Sequence, residues 1–388
     1  MIRRHHSVLR AAALALSVAT CSLLLARSAG AQNSYKQHNL VSDVPGLADF
    51  LDPSLINPWG ISHSPTGPFW ISNAGTGTST LYNTFGVKQA LTVTIPTPGT
   101  PPSSPTGQVF NNANAFSITP GNNARFLFAT EDGTIAGWNP SVDATHAITV
   151  VDNSTSGAIY KGLAISGSGA TARLYGANFH AGTVDVWDGA FASVFGGFID
   201  PTLPSGYAPF NVQNIGGNIF VAYAQQDALK EDEVPGPGFG YVDMFDPFGV
   251  FLRRFASGGA LNAPWGMVLA PSSFGAFGGD LLIGNFGDGR INAYDPITGV
   301  FQGALLQPNG TPLEIDGLWG LIAGNGGNGG DPNTLYFTAG IEDEAHGLFG
   351  SIAVAPVTAT PEPGTAVLLA AGLLGLGGIT HRGRRRTG

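Results

Sequence analysis

Short stretches of alternating apolar and polar residues recur along the chain, as in Thr183-Val184-Asp185-Val186-Trp187 and Arg290-Ile291-Asn292-Ala293-Tyr294. A period of two marks a strand with one buried face. Each stretch follows a more continuous apolar run, among them Phe69 to Ser72, Phe126 to Thr130, Leu174 to Ala177, Ile219 to Tyr223, Leu281 to Ile283 and Leu335 to Thr338. Such runs predict strands buried on both sides. The alternating stretches end on an aromatic residue, then Asn or Asp and a turn: Tyr82-Asn83, Trp138-Asn139, Trp187-Asp188, Phe245-Asp246 and Tyr294-Asp295, with a degenerate sixth at Val354-Ala355-Pro356. Their spacing of 49 to 60 residues shows one unit used six times.

Earlier in each unit stands a start such as Pro58-Trp59-Gly60, Lys161-Gly162, Pro209-Phe210, Pro264-Trp265-Gly266 or Leu318-Trp319-Gly320, and after the aromatic turn comes a fourth run such as Val250 to Phe255. Four antiparallel strands per unit and no helical period predict an all-β, six-bladed β-propeller. The last unit lacks its fourth strand, and Tyr35 to Val41 is a surplus run near the other end. Pairing that run into the last blade would close the ring and remove both exposed edges. Pro96 to Gly107 is predicted as an extended insert between blades one and two, and Gln225 to Gly240 as a long central loop in blade four.

Glycine and proline, 57 and 27 of 388 residues, fit many tight turns and exclude a mostly helical fold. Between residues 32 and 360 there are 9 basic and 25 acidic residues, a net charge of −16. So acidic a body repels nucleic acid and anionic lipid and favours cations or neutral surfaces. Residues 1–31 combine Arg3 and Arg4, an apolar stretch from Ala11 to Ala26 and Ala29-Gly30-Ala31, the pattern of a secretory signal peptide. The one cysteine, Cys21, lies inside it, so the exported chain is expected to have no thiol for disulfides, zinc or nucleophilic catalysis.

Residues 358–388 form a separate tail: Pro361-Glu362-Pro363, an apolar run from Ala366 to Ile379, then Arg384-Arg385-Arg386. At 1.5 Å per residue the run falls short of the ~30 Å hydrocarbon core, which suits a transient, processed anchor. This tail resembles the PEP-CTERM sorting signal of Gram-negative bacteria that make extracellular polysaccharide. The resemblance implies an exosortase-type processing enzyme as partner and delivery to the cell envelope, outer surface or extracellular matrix, with membrane contact only through that segment.

The body between them, residues 32–357, resembles an uncharacterised bacterial family of secreted propellers through Asn57-Pro58-Trp59-Gly60, Asn262-Ala263-Pro264-Trp265-Gly266 and Asp316-Gly317-Leu318-Trp319-Gly320. More distantly its blades resemble NHL-repeat and gluconolactonase-type propellers. The loops between second and third strands converge on one face. They bring Glu131 and Asp132, Asp227, Glu231, Asp232 and Glu233, Asp288, and Glu342, Asp343 and Glu344 there, with His180, His346, Asn73, Asn178 and Asn285. Carboxylate and amide oxygens suit a hard cation such as Ca²⁺. Trp59, Phe210, Trp265 and Trp319 are expected around the rim, as stacking surfaces for sugar rings or as packing between blades.

No nucleophile elbow, phosphate loop or zinc-binding His-Glu-x-x-His is present. His180 and His346 are the candidate general bases on the acidic face. Two readings follow. The first is an exported, monomeric binding or interaction module that engages a polysaccharide or another envelope component. The alternative is a metal-dependent lactonase-like or lyase-like enzyme using the acidic face.

Overall fold

A computed structural model describes residues 34–356, in which six sheets of four or five strands surround one axis. The described residues contain no α-helix, only three single 3-10 turns. Blade one comprises Pro58–Ser62, Phe69–Asn73, Thr78–Tyr82 and Lys88–Thr94 in spatial order, each antiparallel to the next. Blades two to five repeat that plan from the innermost strands Pro105–Phe110, Tyr160–Ser166, Tyr207–Ile215 and Pro264–Leu269.

Blade six is assembled from both ends of the described chain. Leu318–Ala323, Leu335–Ala339 and Leu348–Val354 come from one end, and Tyr35–Ser42 adds the outer strand, antiparallel from Tyr35 opposite Val354 to Ser42 opposite Leu348 with a register shift between Asn39 and Val41. Closure by the leading segment is therefore as expected from the surplus run. Tyr35 locks it: the residue is fully buried, its ring stacks on Phe274 at 4.8 Å, and its hydroxyl donates to the Phe274 carbonyl at 3.2 Å. A short strand, Phe50–Leu51, runs parallel outside it.

The core is layered between neighbouring blades. Trp70 of blade one stacks on Phe126 of blade two at 4.0 Å, and Phe69 of blade one meets Phe349 of blade six at 5.3 Å. Near the axis the innermost strands approach so closely that glycine is required. A Cβ on Gly162 would lie 2.2 Å from Asn211 Oδ1, and one on Gly107 would lie 2.5 Å from Leu163 N. Both contacts are far inside van der Waals distance, so a side chain there would push blades apart.

One boundary differs from the sequence pattern. Pro105-Thr106-Gly107, taken with the insert, opens the innermost strand of blade two. Its Pro-x-Gly spacing matches Pro58-Trp59-Gly60 and Pro264-Trp265-Gly266, but Thr106 stands where those two starts carry tryptophan.

Candidate functional site

In all six blades the innermost strand carries a β-bulge at the same place. Blade one pairs Pro58 with Asn73 and then Ile61 with Ile71, and equivalent shifts follow Pro105, Tyr160, Pro209, Pro264 and Leu318. A bulge bends the strand and re-aims the side chain inside it. The residues it holds are Trp59, Thr106, Lys161, Phe210, Trp265 and Trp319.

Four of these six pack together. Trp59 and Trp319 stack at 3.5 Å, Trp265 meets Trp59 edge-on at 6.1 Å, and Phe210 lies 5.7 Å from Trp319. Exposure is 2% for Trp59, 5% for Trp265, and zero for Phe210 and Trp319. The expected aromatic rim is thus corrected to a buried plug. The bulges turn these rings onto one another, where they bury more apolar surface than they could at a solvent-facing edge.

Blade three places Lys161 at this level. Its side chain is 1% exposed, with Nζ 5.0 Å from the Trp59 ring centre and 5.8 Å from that of Phe179. The ammonium donates to Glu131 and, at 3.2 Å, to Asp232 Oδ1. Burial alone would discharge it, but the fields of Glu131 and Glu233 outweigh burial and hold its pKa well above the ordinary lysine value. Burial pushes Glu233 up to about 7, with Lys161 opposing. Glu344 is also raised by burial, which a hydrogen bond from Asn57 Nδ2 opposes. Asn57 Oδ1 in turn accepts from Trp319 Nε1 at 3.2 Å, joining the plug to the carboxylates.

Glu344 reaches this cluster on an unusual backbone. Glu342, Asp343 and Glu344 all have left-handed φ values, of 55°, 52° and 65°. For residues with a Cβ each costs about 1–3 kcal/mol, and such strain persists where surrounding structure enforces it.

Of the carboxylates assigned to this face, Glu131, Asp232, Glu233 and Glu344 come together around Lys161. The others do local work. Asp132 accepts from Ser103 Oγ at 2.6 Å and from Ser104 N at 3.1 Å. Asp227 accepts from the Glu231 backbone N–H at 2.9 Å, and Asp288 from Asn285 Nδ2 at 3.0 Å. Glu231, Glu342 and Asp343 are exposed. Asn73 and Asn178 hydrogen-bond within their own blades, to Thr80 and Asp185.

Neither histidine is hydrogen-bonded or ion-paired to the central four among the described residues. His180 Nδ1 is buried without a partner. His346 Nδ1 lies 2.7 Å from Asp43 Oδ2, a bond that raises its pKa and ties the loop after the closing strand to blade six.

The Ca²⁺ expectation meets a different arrangement. Among the described residues no three His, Cys, Asp or Glu side chains are grouped to hold a metal ion. The point that Glu131 and Asp232 share is taken by the Lys161 ammonium. Lys161 was legible only as the start that broke the Trp-Gly pattern, because its role depends on the bulge. The sorting residues Pro361, Glu362, Pro363, Arg384, Arg385 and Arg386 lie outside the described residues.

Fold and site define a six-bladed β-propeller whose axis is closed by aromatic rings and capped by one buried lysine among carboxylates. No family model matches the chain. Two uncharacterised proteins of Acanthamoeba polyphaga mimivirus, R648 and L690, are each 37% identical to it, over 83% and 82% of this chain and 81% and 86% of their own. The chain belongs to the family that contains them. The resemblance pointed to a bacterial family, whereas these relatives are viral. Among solved structures, a protein of unknown function from Bacteroides thetaiotaomicron shares the fold with a TM-score of 0.52 at 12% identity, covering 84% of this chain and 77% of that one.

Proposed function

We propose that this protein is an exported, envelope- or matrix-associated binding module whose acidic face takes a cationic ligand. The observation that carries this reading is the convergence of four carboxylates, from blades two, four and six, on a single buried ammonium. Lys161 is already paired with two carboxylates, Glu131 and Asp232, and the burial-raised Glu233 and Glu344 add negative charge as they ionise, so at low local dielectric the surplus attracts a further cation. Glu131 and Asp232 remain 30% and 74% exposed, within reach of such a ligand, either Ca²⁺ or an organic ammonium group on an envelope component.

Titration calorimetry of the full chain with calcium chloride and with spermine tests this. Saturable binding of one of them is expected, weakened about tenfold or more in a Glu131→Gln/Asp232→Asn double variant, a loss of about 1.4 kcal/mol. No heat with either ligand, in protein that melts normally, overturns it.

Export through residues 1–31 and sorting through residues 358–388 rest on the residue patterns of those segments, with an exosortase-type enzyme as processing partner and polysaccharide as the surrounding matrix. In a Gram-negative host carrying an exosortase, replacing Pro361, Glu362 and Pro363 with Ala should leave the tail uncleaved. Normal processing of that variant counts against sorting.

Glu233 favours a second reading, a lactonase-like or lyase-like enzyme. A carboxyl titrating at about 7 beside an ammonium is poised to move protons at neutral pH. A lactone-hydrolysis screen should then show a rate with an inflection near pH 7 that vanishes in Glu233→Gln. A flat pH profile or an unaffected variant removes this reading.

A further inference from the structure

On the opposite side of the aromatic plug from Lys161, the axis widens into a cavity of about 470 Å³ walled by the innermost strands of all six blades. Although the body carries a net charge of −16, this wall contains no Asp, Glu, Lys or Arg. Its polar side chains are amides and hydroxyls set among aliphatic ones such as Val109, Ile165 and Ile322, with His63 the one titratable group. Each innermost strand is hydrogen-bonded to a neighbour along one edge only, so its other edge turns backbone N–H and C=O groups toward the axis.

Two accessible wall groups have unused hydrogen-bonding capacity. Gln213 and Asn112 make no side-chain hydrogen bond among the described residues, and both line the cavity.

We propose that this cavity is a second binding site, separate from the acidic face, for a small neutral polyhydroxylated molecule of the mono- or disaccharide class. A charged ligand would lose its hydration with no countercharge to replace it. A wholly apolar one would leave the wall's donors and acceptors unpaired. Hydroxyl groups donate and accept at once, matching a wall of amides and strand edges, while Val109, Ile165 and Ile322 supply apolar surface for the carbon face of a ring. The volume lies within the range of small-molecule pockets, about 300–1,000 Å³.

The test uses the full chain with glucose, N-acetylglucosamine and maltose as probes, and glucuronate and glucosamine as charged controls. Saturation-transfer NMR and tryptophan fluorescence report binding. Saturable binding of a neutral sugar is expected, with the charged controls at least tenfold weaker. Gln213→Phe, which fills the cavity, should abolish binding, and Gln213→Ala should weaken it about tenfold, the scale of one or two lost buried hydrogen bonds. Glu231→Gln, an exposed position on the other face, should leave it unchanged. The proposal is overturned if no neutral sugar binds, if glucuronate binds equally well, or if Glu231→Gln abolishes binding. Undiminished affinity in Gln213→Ala also overturns it, and that variant decides the matter if Gln213→Phe fails to fold.

Discussion

Lys161 occupies a position that four sister blades give to aromatic rings, and it survives there because its charge is paired. Replacing it with Met leaves Glu131, Asp232, Glu233 and Glu344 crowded without a counterion. Removing one partner of a buried pair costs about 3–5 kcal/mol, so Lys161→Met should lower stability by that amount in urea unfolding. The loss should be smaller at pH 5 than at pH 8, because protonation relieves the crowded carboxylates. In the native protein Glu233 sets a related slope. Its folded pKa of about 7 lies above the ordinary 4.5, so between those values the folded state holds the extra proton. Its contribution is fully present below about pH 4.5 and is lost as pH rises through 7. Glu233→Gln should flatten that part of the stability curve. Glu344, also raised by burial, shares the Lys161 field, so a slope unchanged in Glu233→Gln would assign it to Glu344.

Strands were legible because burial dictates residue type. The alternation at Thr183–Asp188 and the buried run at Leu281–Asn285 fall where the pattern puts them. The destinations of side chains near the axis were not. A tryptophan after proline reads alike whether its ring faces solvent or the axis, and only the bulge decides. The same bulges demand tight neighbours, so Gly162→Ala should cost about 1–3 kcal/mol through overpacking, read as a lowered melting temperature with no change in net charge. A second contact between elements is Arg254, which donates to the buried carboxylates of Asp200, in the connection from blade three, and Asp243, in blade four. Arg254→Met should destabilise by about 3–5 kcal/mol, since two carboxylates then lose their partner. Wild-type stability in that variant would show that the pair contributes little.

Over the whole molecule, six similar sheets produce two dissimilar openings. Loops between second and third strands deliver carboxylates to one, while strand edges and amides line the other, with the aromatic plug between them. That division was half legible. Acidic loops declare themselves by composition, and four of their residues do converge. An uncharged cavity is invisible in a chain of net charge −16, because its walls are scattered amides, aliphatic side chains and backbone edges that no motif announces.

The ring depends on its closing strand, so Tyr35→Ala should be disproportionately harmful. It removes a stacked, fully buried ring worth about 3–5 kcal/mol and frees an edge that invites association. Light scattering should rise as the melting temperature falls.

The Ala355 N–H donates to the Ser34 carbonyl at 2.7 Å, so the two limits of the described chain lie side by side. During synthesis the earliest of these residues must wait for the latest ones before the circle can shut, a contact of nearly maximal sequence separation and correspondingly slow to form. Joining Ser34 to Ala355 through a short peptide and opening the chain instead within Pro96–Ser104 would turn that longest-range pairing into a local hairpin, and the permuted protein should refold faster than the natural one.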